Sequence, residues 1–399
     1  MAGLSSSTWR APRYTPRRGA MGRLFERESP LRGLDWPMVL AALALSGIGS
    51  LLVWSATRSR TQINHGDSTY FLVRHLMNLG IGLGLCTAVV VLGHHRLRTA
   101  VPFIYGLAVL GVLAVLSPLG STVNGAHSWI VLGGGFSLQP SEFVKIAVIL
   151  VGATILSARV DAGEVTQPDG RSILQALGLS AVPIGVIMLM PDLGSTMVIV
   201  VIILGVLTAA GVPAKWLGGL AVVGAVGVFA VIQLHLLKQY QVARFAAFAN
   251  PALDPAGVGY NTAQARIAIG SGGLMGKGLF HGTQTTGQFV PEQQTDFVFT
   301  VAGEELGFVG AGLILVLLGV VLWRACRIAR QASDLYSTVV AAGVASWFAF
   351  QAFENIGMTL GIMPVAGIPL PFVSYGGSSM FAIWMGIGLL QSVRMQRTL

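Results

Sequence analysis

Four carboxylates crowd the stretch PEQQTDFVFTVAGEELG (residues 291–307), in a chain of 399 residues with only 16 acidic side chains. Asp296 stands just before an apolar run that continues as FVGAGLILVLLGVVLW. Two chemistries suit it. As a residue at a helix start it would face the positive end of a helix dipole, worth a few tenths to about 1 kcal/mol. Held at a membrane boundary, it would lose hydration, and its carboxyl would rise from about 3.9 toward the range of a general base. Glu304 lies eight residues on, about 12 Å deeper along a continuous helix. Glu304 and Glu305 are expected to be structural, paired with Lys145 or an arginine, because ionisable groups in a bilayer face a cavity or a partner. Glu292 reads as a solvated loop residue.

Other chemistry-bearing residues flank further apolar runs. QPSEFVKIA sets Glu142 and Lys145 three residues apart on one side of a helix start, either as a local ion pair or with Lys145 offering its charge to an anionic substrate. In MPDLGS, Asp192 follows a proline, and simple turn chemistry accounts for it. The stretch RIAIGSGGLMGKGLFHGTQTTG resembles a phosphate-binding loop only superficially. Such a loop would need glycine at Ser271 and serine or threonine at Gly278, which excludes nucleotide binding. With Arg244, Arg266 and Lys277 nearby, the loop is still expected to present backbone N–H groups and cations to a diphosphate. Seven histidines without ligand spacing and two cysteines, Cys86 and Cys326, give neither a metal site nor a disulfide framework.

The elements that must position these residues are membrane helices. The chain is 53% hydrophobic and 10% charged, with mean hydropathy +0.72, whereas soluble domains are about 25% charged. Ten apolar spans are predicted, at residues 36–56, 71–92, 100–116, 143–158, 173–190, 195–210, 216–235, 297–323, 336–362 and 374–393. The fold class is therefore all-α and polytopic. With both termini cytoplasmic, 17 of the 25 lysines and arginines fall on the inside and seven on the outside, as the positive-inside rule requires. That topology accounts for the net charge of +9 without nucleic acid. Residues 1–35 read as a basic, disordered cytoplasmic tail, 36–393 as the membrane domain and 394–399 as a short cytoplasmic tail. Two long outer loops, about 117–142 and 236–296, mark the face to search, since long ordered loops usually carry function. On these residues alone, an enzyme acting on an anionic lipid and a transporter of one both stay open.

Five motifs then stand in order between residues 124 and 391: NGAHSWIVLGGGFSLQPSEFVKIA, MPDLGS, YNTAQARIAIGSGGLMGKGLFHGTQ, FVPEQQTDFVFTVAGEELG and PFVSYGGSS. Together they resemble the SEDS family, which comprises RodA, FtsW and SpoVE. GKGLFHGTQ and GIMPVAGIPLPFVSYGGSS look more like the RodA branch, the elongation members. The resemblance implies a peptidoglycan glycosyltransferase that polymerises lipid II, the undecaprenyl-pyrophosphate disaccharide-pentapeptide, at the outer face of the bacterial cytoplasmic membrane. It also implies a class B penicillin-binding protein transpeptidase and the elongation machinery as partners, beside the membrane lipids. It implies no certain cofactor and leaves a divalent cation open. The family's essential aspartate matches Asp296. Its P-S-E-x-x-K pair matches Glu142 and Lys145, its P-D-L-G aspartate Asp192, and its long-loop arginine Arg244. With Lys277, Arg266 and Gln264, these form the expected substrate contacts, and Glu304, Glu305 and Glu354 are expected to be structural. Two positions depart from the family pattern: Ser128 stands where a cation is common, and Glu354 where an uncharged residue is. The alternative is a lipid II flippase, which would need polar groups along a continuous path across the membrane.

Overall fold

The computed structural model of the protein describes residues 33–396, apart from 61–65, 124–125, 134–135, 191, 234–241, 243, 245–247 and 249–256. The expected disordered tail (to residue 32), residues 397–399 and the first part of the 236–296 loop, save residues 242, 244 and 248, lie outside the described residues. In chain order the helices begin with α1 (Trp36–Arg58), α2 (Tyr70–Leu92) and α3 (His94–Val115). A small sheet follows: β1 (Gly120–Val123), β2 (Ala126–Gly133) and β3 (Phe136–Leu138). Then come α4 (Pro140–Asp161), α5 (Gly170–Leu189), α6 (Leu193–Ala209), α7 (Ala214–Gln233), α8 (Val258–Ser271) and the single turn α9 (Thr283–Thr286). The chain closes with α10 (Val298–Glu305), α11 (Gly307–Gln331), α12 (Leu335–Leu360) and α13 (Gly377–Gln396).

Among the described residues seven helices are long and apolar enough to cross a membrane, with α6 and the Ala214–Ala230 part of α7 as shorter apolar helices. The chain is an integral membrane protein of helical architecture. The loop 117–142 adds one element not expected from hydropathy, the antiparallel sheet of order β1-β2-β3. It is tied to the bundle where Gln139 N donates to Ser378 Oγ at 2.8 Å.

Four of the 16 acidic residues begin helices. Asp35, Asp169, Asp192 and Asp334 each accept the backbone N–H three residues on, at 3.3, 3.3, 2.9 and 2.8 Å. Each such cap is worth about 1 kcal/mol and satisfies an N–H that no helical carbonyl reaches. Asp35 also accepts Arg324 Nε at 2.8 Å, fastening the start of α1 to the end of α11. In the centre stand α4 and α12, each 67% buried along its most apolar stretch, against 22% for α2 and α3. A side chain at Gly343 would press on Ile149 of α4, and one at Gly205 of α6 would overlap Ser346. Small residues therefore let α4, α6 and α12 approach closely, as in membrane helix packing generally.

The span expected over 297–323 is two helices. The ladder breaks at Leu306–Gly307, where Gly307 has φ +65°. The glycine-rich loop 272–278 fills the break. Lys277 N and Gly278 N donate to the carbonyls of Glu304 and Glu305, both at 3.0 Å, while Phe308 N and Val309 N donate to Gly273 O and Leu274 O at 2.9 and 3.1 Å. Side chains at Gly272, Gly276 or Gly307 would run into backbone across this seam. The loop's glycines thus serve backbone-to-backbone docking, and the N–H groups of Lys277 and Gly278 are not available to the expected diphosphate. Gly276→Ala, at φ +79°, should destabilise the protein by about 1–3 kcal/mol or more. Gly312→Ala, with open space around it, should not. Thermal unfolding of the two variants in detergent checks this.

Candidate active site

Asp296 sits in a tight turn before α10, not inside a helix. The carbonyl of Glu292 accepts three N–H groups, from Thr295, Asp296 and Phe297, at 3.1–3.2 Å. Glu292 itself has φ +52°, a conformation that costs a non-glycine residue energy and so points to a constrained site. Its Oε2 accepts Thr295 Oγ1 at 3.1 Å and Gln294 Nε2 at 3.2 Å. Glu292 is therefore half-buried and organises the turn, contrary to its expected place as a solvated loop residue.

The end of α12 and the segment between α12 and α13 clamp this turn from the other side. Asn355 Nδ2 donates to Asp296 O at 2.8 Å and to Ile368 O at 2.7 Å. Ser374 Oγ donates to Thr295 O at 2.5 Å, and Tyr375 N to Gln294 O at 2.8 Å. Phe372, in the same segment, also has positive φ, +67°. Gly367 lies against the carboxylate, since a Cβ there would stand 3.5 Å from Asp296 Oδ2. From α8, Ala265 packs with Val290, Phe297 and Val365 beside the turn.

Charge completes the site. Loss of hydration, with Glu292 adding to it, pushes the Asp296 carboxyl up to about 7; Arg244 and a hydrogen bond from Thr295 pull against this, and Asp192 pushes with it. Arg244, Asp192 and Asp296 are thus brought into one electrostatic neighbourhood from separate parts of the chain. Asp192 caps α6 and also accepts Ser195 Oγ at 2.8 Å and Gln139 Nε2 at 3.3 Å, which joins α6 to the start of α4.

The remaining predicted residues separate by place. Glu142 and Lys145 form an ion pair of 2.6 Å with side chains 2% and 0% exposed. Lys145, expected to offer its charge to a substrate, has no exposed surface and also donates to Gln351 Oε1 at 3.0 Å. Gln351 in turn accepts Trp347 Nε1 at 2.7 Å and donates to Pro369 O at 2.9 Å, in the segment that clamps Asp296. The pair thus supports the site from beneath. Lys277 likewise spends its charge on Glu304 (2.8 Å). Glu304 is paired with Lys277, and not with Lys145 or an arginine. Its two oxygens also take the N–H groups of Gln284 and Thr285 at 2.8 Å. Glu305 accepts Ser55 Oγ at 2.6 Å. Glu354 is fully buried, and neither carboxylate oxygen has a hydrogen-bond partner among the described residues. Arg266 is exposed on α8 beside Gly361, and Gln264 is half-buried on the same helix.

Asn355, Gln351, Gln294 and Ser374 were missed as site residues. The signal for Ser374 is its place in PFVSYGGSS and that for Gln294 its place in PEQQTDF, beside Asp296; Asn355 and Gln351 are amides with partners as far away as Asp296 and Lys145. Among the described residues no group of three or more His, Cys, Asp or Glu is placed to hold a metal ion.

Residues 36–399 match the FtsW/RodA/SpoVE family, described as cell cycle proteins. The chain is 37% identical over 360 residues to stage V sporulation protein E of Bacillus subtilis, covering 90% of this chain and 96% of that protein. It is 35% identical over 365 residues to the peptidoglycan glycosyltransferase MrdB of Escherichia coli K12, covering 91% and 94%. A chain from a solved peptidoglycan synthase complex, concerned with the structural coordination of polymerization and crosslinking, superposes with TM-score 0.75 at 30% identity. It covers 91% of this chain and 98% of that one.

Two outcomes follow from the geometry. With its carboxyl near 7 in the fold and near 3.9 unfolded, Asp296 binds more protons when folded between those values. Its contribution to stability therefore falls as pH rises from about 4 to 7. Asp296→Asn should raise the melting temperature above pH 7, by the equivalent of about 1–3 kcal/mol, and show little gain near pH 4. Asn355→Ala should leave the ion pairs intact but free the turn, costing about 1–3 kcal/mol. Hydrogen exchange at residues 292–297 should then be faster than in the wild type.

Proposed function

Because the chain belongs to the FtsW/RodA/SpoVE family, we propose that Asp296 is the general base of a peptidoglycan glycosyltransferase acting on lipid II. The observation that carries the role is a constrained carboxylate, raised to about 7, in the matching motif. A base with that proton affinity is half ionised near neutral pH, where base catalysis is most effective. Asp296 takes the proton of the acceptor sugar hydroxyl. The freed oxygen bonds to the anomeric carbon of the donor as the bond to the lipid pyrophosphate breaks, and that electron pair leaves on the pyrophosphate. Arg244 is the cation proposed for the leaving group, since its charge acts on Asp296, while Lys145 is sealed against Glu142 with no exposed surface. Charge fixed where charge develops lowers the barrier without reorganisation.

The wider reading is a multi-pass protein of the bacterial cytoplasmic membrane, with both termini inside and the Asp296 end outside. The uneven distribution of 17 and seven cations supports it. A class B penicillin-binding protein is the proposed partner, supported by the likeness to a chain of a complex that couples polymerization to crosslinking. A role in elongation is proposed on GKGLFHGTQ and the PFVSYGGSS region. A flippase is the weaker reading, because Asp296, Asp192, Glu292 and Arg244 gather at one end of the bundle and do not line a path through it.

Polymerisation of purified lipid II in detergent, where no transport is possible, tests the assignment. Asp296→Asn should lower the rate by about 10²–10⁴-fold, and the wild-type rate should rise with pH through about 7. Normal polymer yield from Asp296→Asn would overturn the role of the base.

A further inference from the structure

The turn that carries Asp296 is gripped from a third side, by the two residues that follow α1. Arg60 Nη1 donates to Gln294 Oε1 and Arg60 Nη2 to Val290 O, both at 3.2 Å. Beside them Gln288 Nε2 reaches Ser59 O at 3.5 Å. One guanidinium therefore braces the turn at two points, 230 and 234 residues further along the chain. A planar fork of donors suits such a hold, whereas an ammonium is a point charge on a flexible stem.

The grip passes to a neighbouring charge. Val290 is fully buried and Gln294 is 6% exposed. The Gln294 carbonyl accepts Tyr375 N at 2.8 Å, and Gln294 Nε2 donates to Glu292 Oε2 at 3.2 Å. Arginine only donates and a carboxylate only accepts, so the amide between them has one orientation. Glu292, held in this way, is among the groups that push the Asp296 carboxyl up. Burial works against the charge of Arg60, and Glu292 supports it. The Arg60 Nε is buried without a partner among the described residues, so the guanidinium is committed to the protein and not to a substrate.

We infer that Arg60 is a positioning residue: through Gln294 it holds the Glu292 carboxylate beside Asp296, and so sets the pH range in which the base works. The inference rests on the reading of Asp296 as that base. Glu292 and Asp192 push Asp296 up, and Arg244 pulls it down. On the clamp side stands Tyr375, with Arg74 bonded to it. Once the grip is lost, Glu292 turns toward water and its push on Asp296 weakens. The base then holds its proton less firmly, and the rising limb of rate against pH moves to lower pH.

The test is polymerisation of lipid II by the purified full-length chain in detergent, followed across pH. Arg60→Lys keeps the charge and loses the fork. It should lower kcat about tenfold, within the roughly 100-fold that a 1 Å misplacement can cost, and leave KM for lipid II within about twofold. Its rising limb should move down by about half a pH unit. Gln294→Met cuts the same link from its other side and should move the limb equally. Arg58→Lys, at a neighbouring cation stacked on Phe280 at 4.8 Å, should change neither kcat nor the limb. Wild-type kcat and limb in Arg60→Lys, a fall in kcat with the limb unmoved, or equal changes in Arg58→Lys would each overturn the inference. The two readings fail separately. Full activity in Asp296→Asn sinks the base, whereas an inactive Asp296→Asn beside a wild-type limb in Arg60→Lys sinks only the role of Arg60.

Discussion

The interruption of the polypeptide at Leu306–Gly307, and the backbone hydrogen bonds that seal it, fix where everything near the site can be. In a bilayer no water replaces a missing helical bond, so a broken helix survives only if other protein groups take its free N–H and C=O. The glycine loop does this for Glu304, Glu305, Phe308 and Val309. Because α10 then stops after eight residues, its two ends carry different chemistry. The Asp296 turn lies at one end, and Glu304 and Glu305 at the other, where they hold the loop that seals the break.

A second group of polar contacts lies beneath the site, between α4 and α12. Glu142, Lys145, Gln351 and Trp347 form a buried chain that ends on Pro369 O. Buried ion pairs return little net stability, because desolvation offsets attraction, but losing one partner leaves an unpaired charge at a cost of about 3–5 kcal/mol. Such a chain therefore specifies one packing of the 361–376 segment. That segment carries the Ser374 and Tyr375 contacts to the Asp296 turn. Lys145 thus bears on the Asp296 turn through position, by way of Gln351 and the 361–376 segment.

The turn itself is strained and electrostatically unfavourable. Glu292 and Phe372 hold positive φ angles, and Asp296 is short of water and close to Glu292 and Asp192. A carboxylate selected for stability alone would not sit there. Function commonly opposes stability in this way, and the surrounding clamps maintain the geometry.

Hydropathy was enough to locate most of the membrane helices, because membrane thickness imposes a pattern local in sequence. The motif around Asp296 singled out the carboxylate proposed as the base for the same reason: turn and helix start are contiguous. The sequence could not show that the ladder breaks at Gly307, that Lys277 pairs with Glu304 or that Lys145 is sealed in the core. Each depends on which helices become neighbours. Nor could it assign Asn355 and Gln351, since an amide has no charge or spacing to reveal a carbonyl partner. Residue types and local spacing thus determined the class of protein and its candidate base. Tertiary structure alone decided which cations stay near that base, because burial and pairing are properties of the packed bundle.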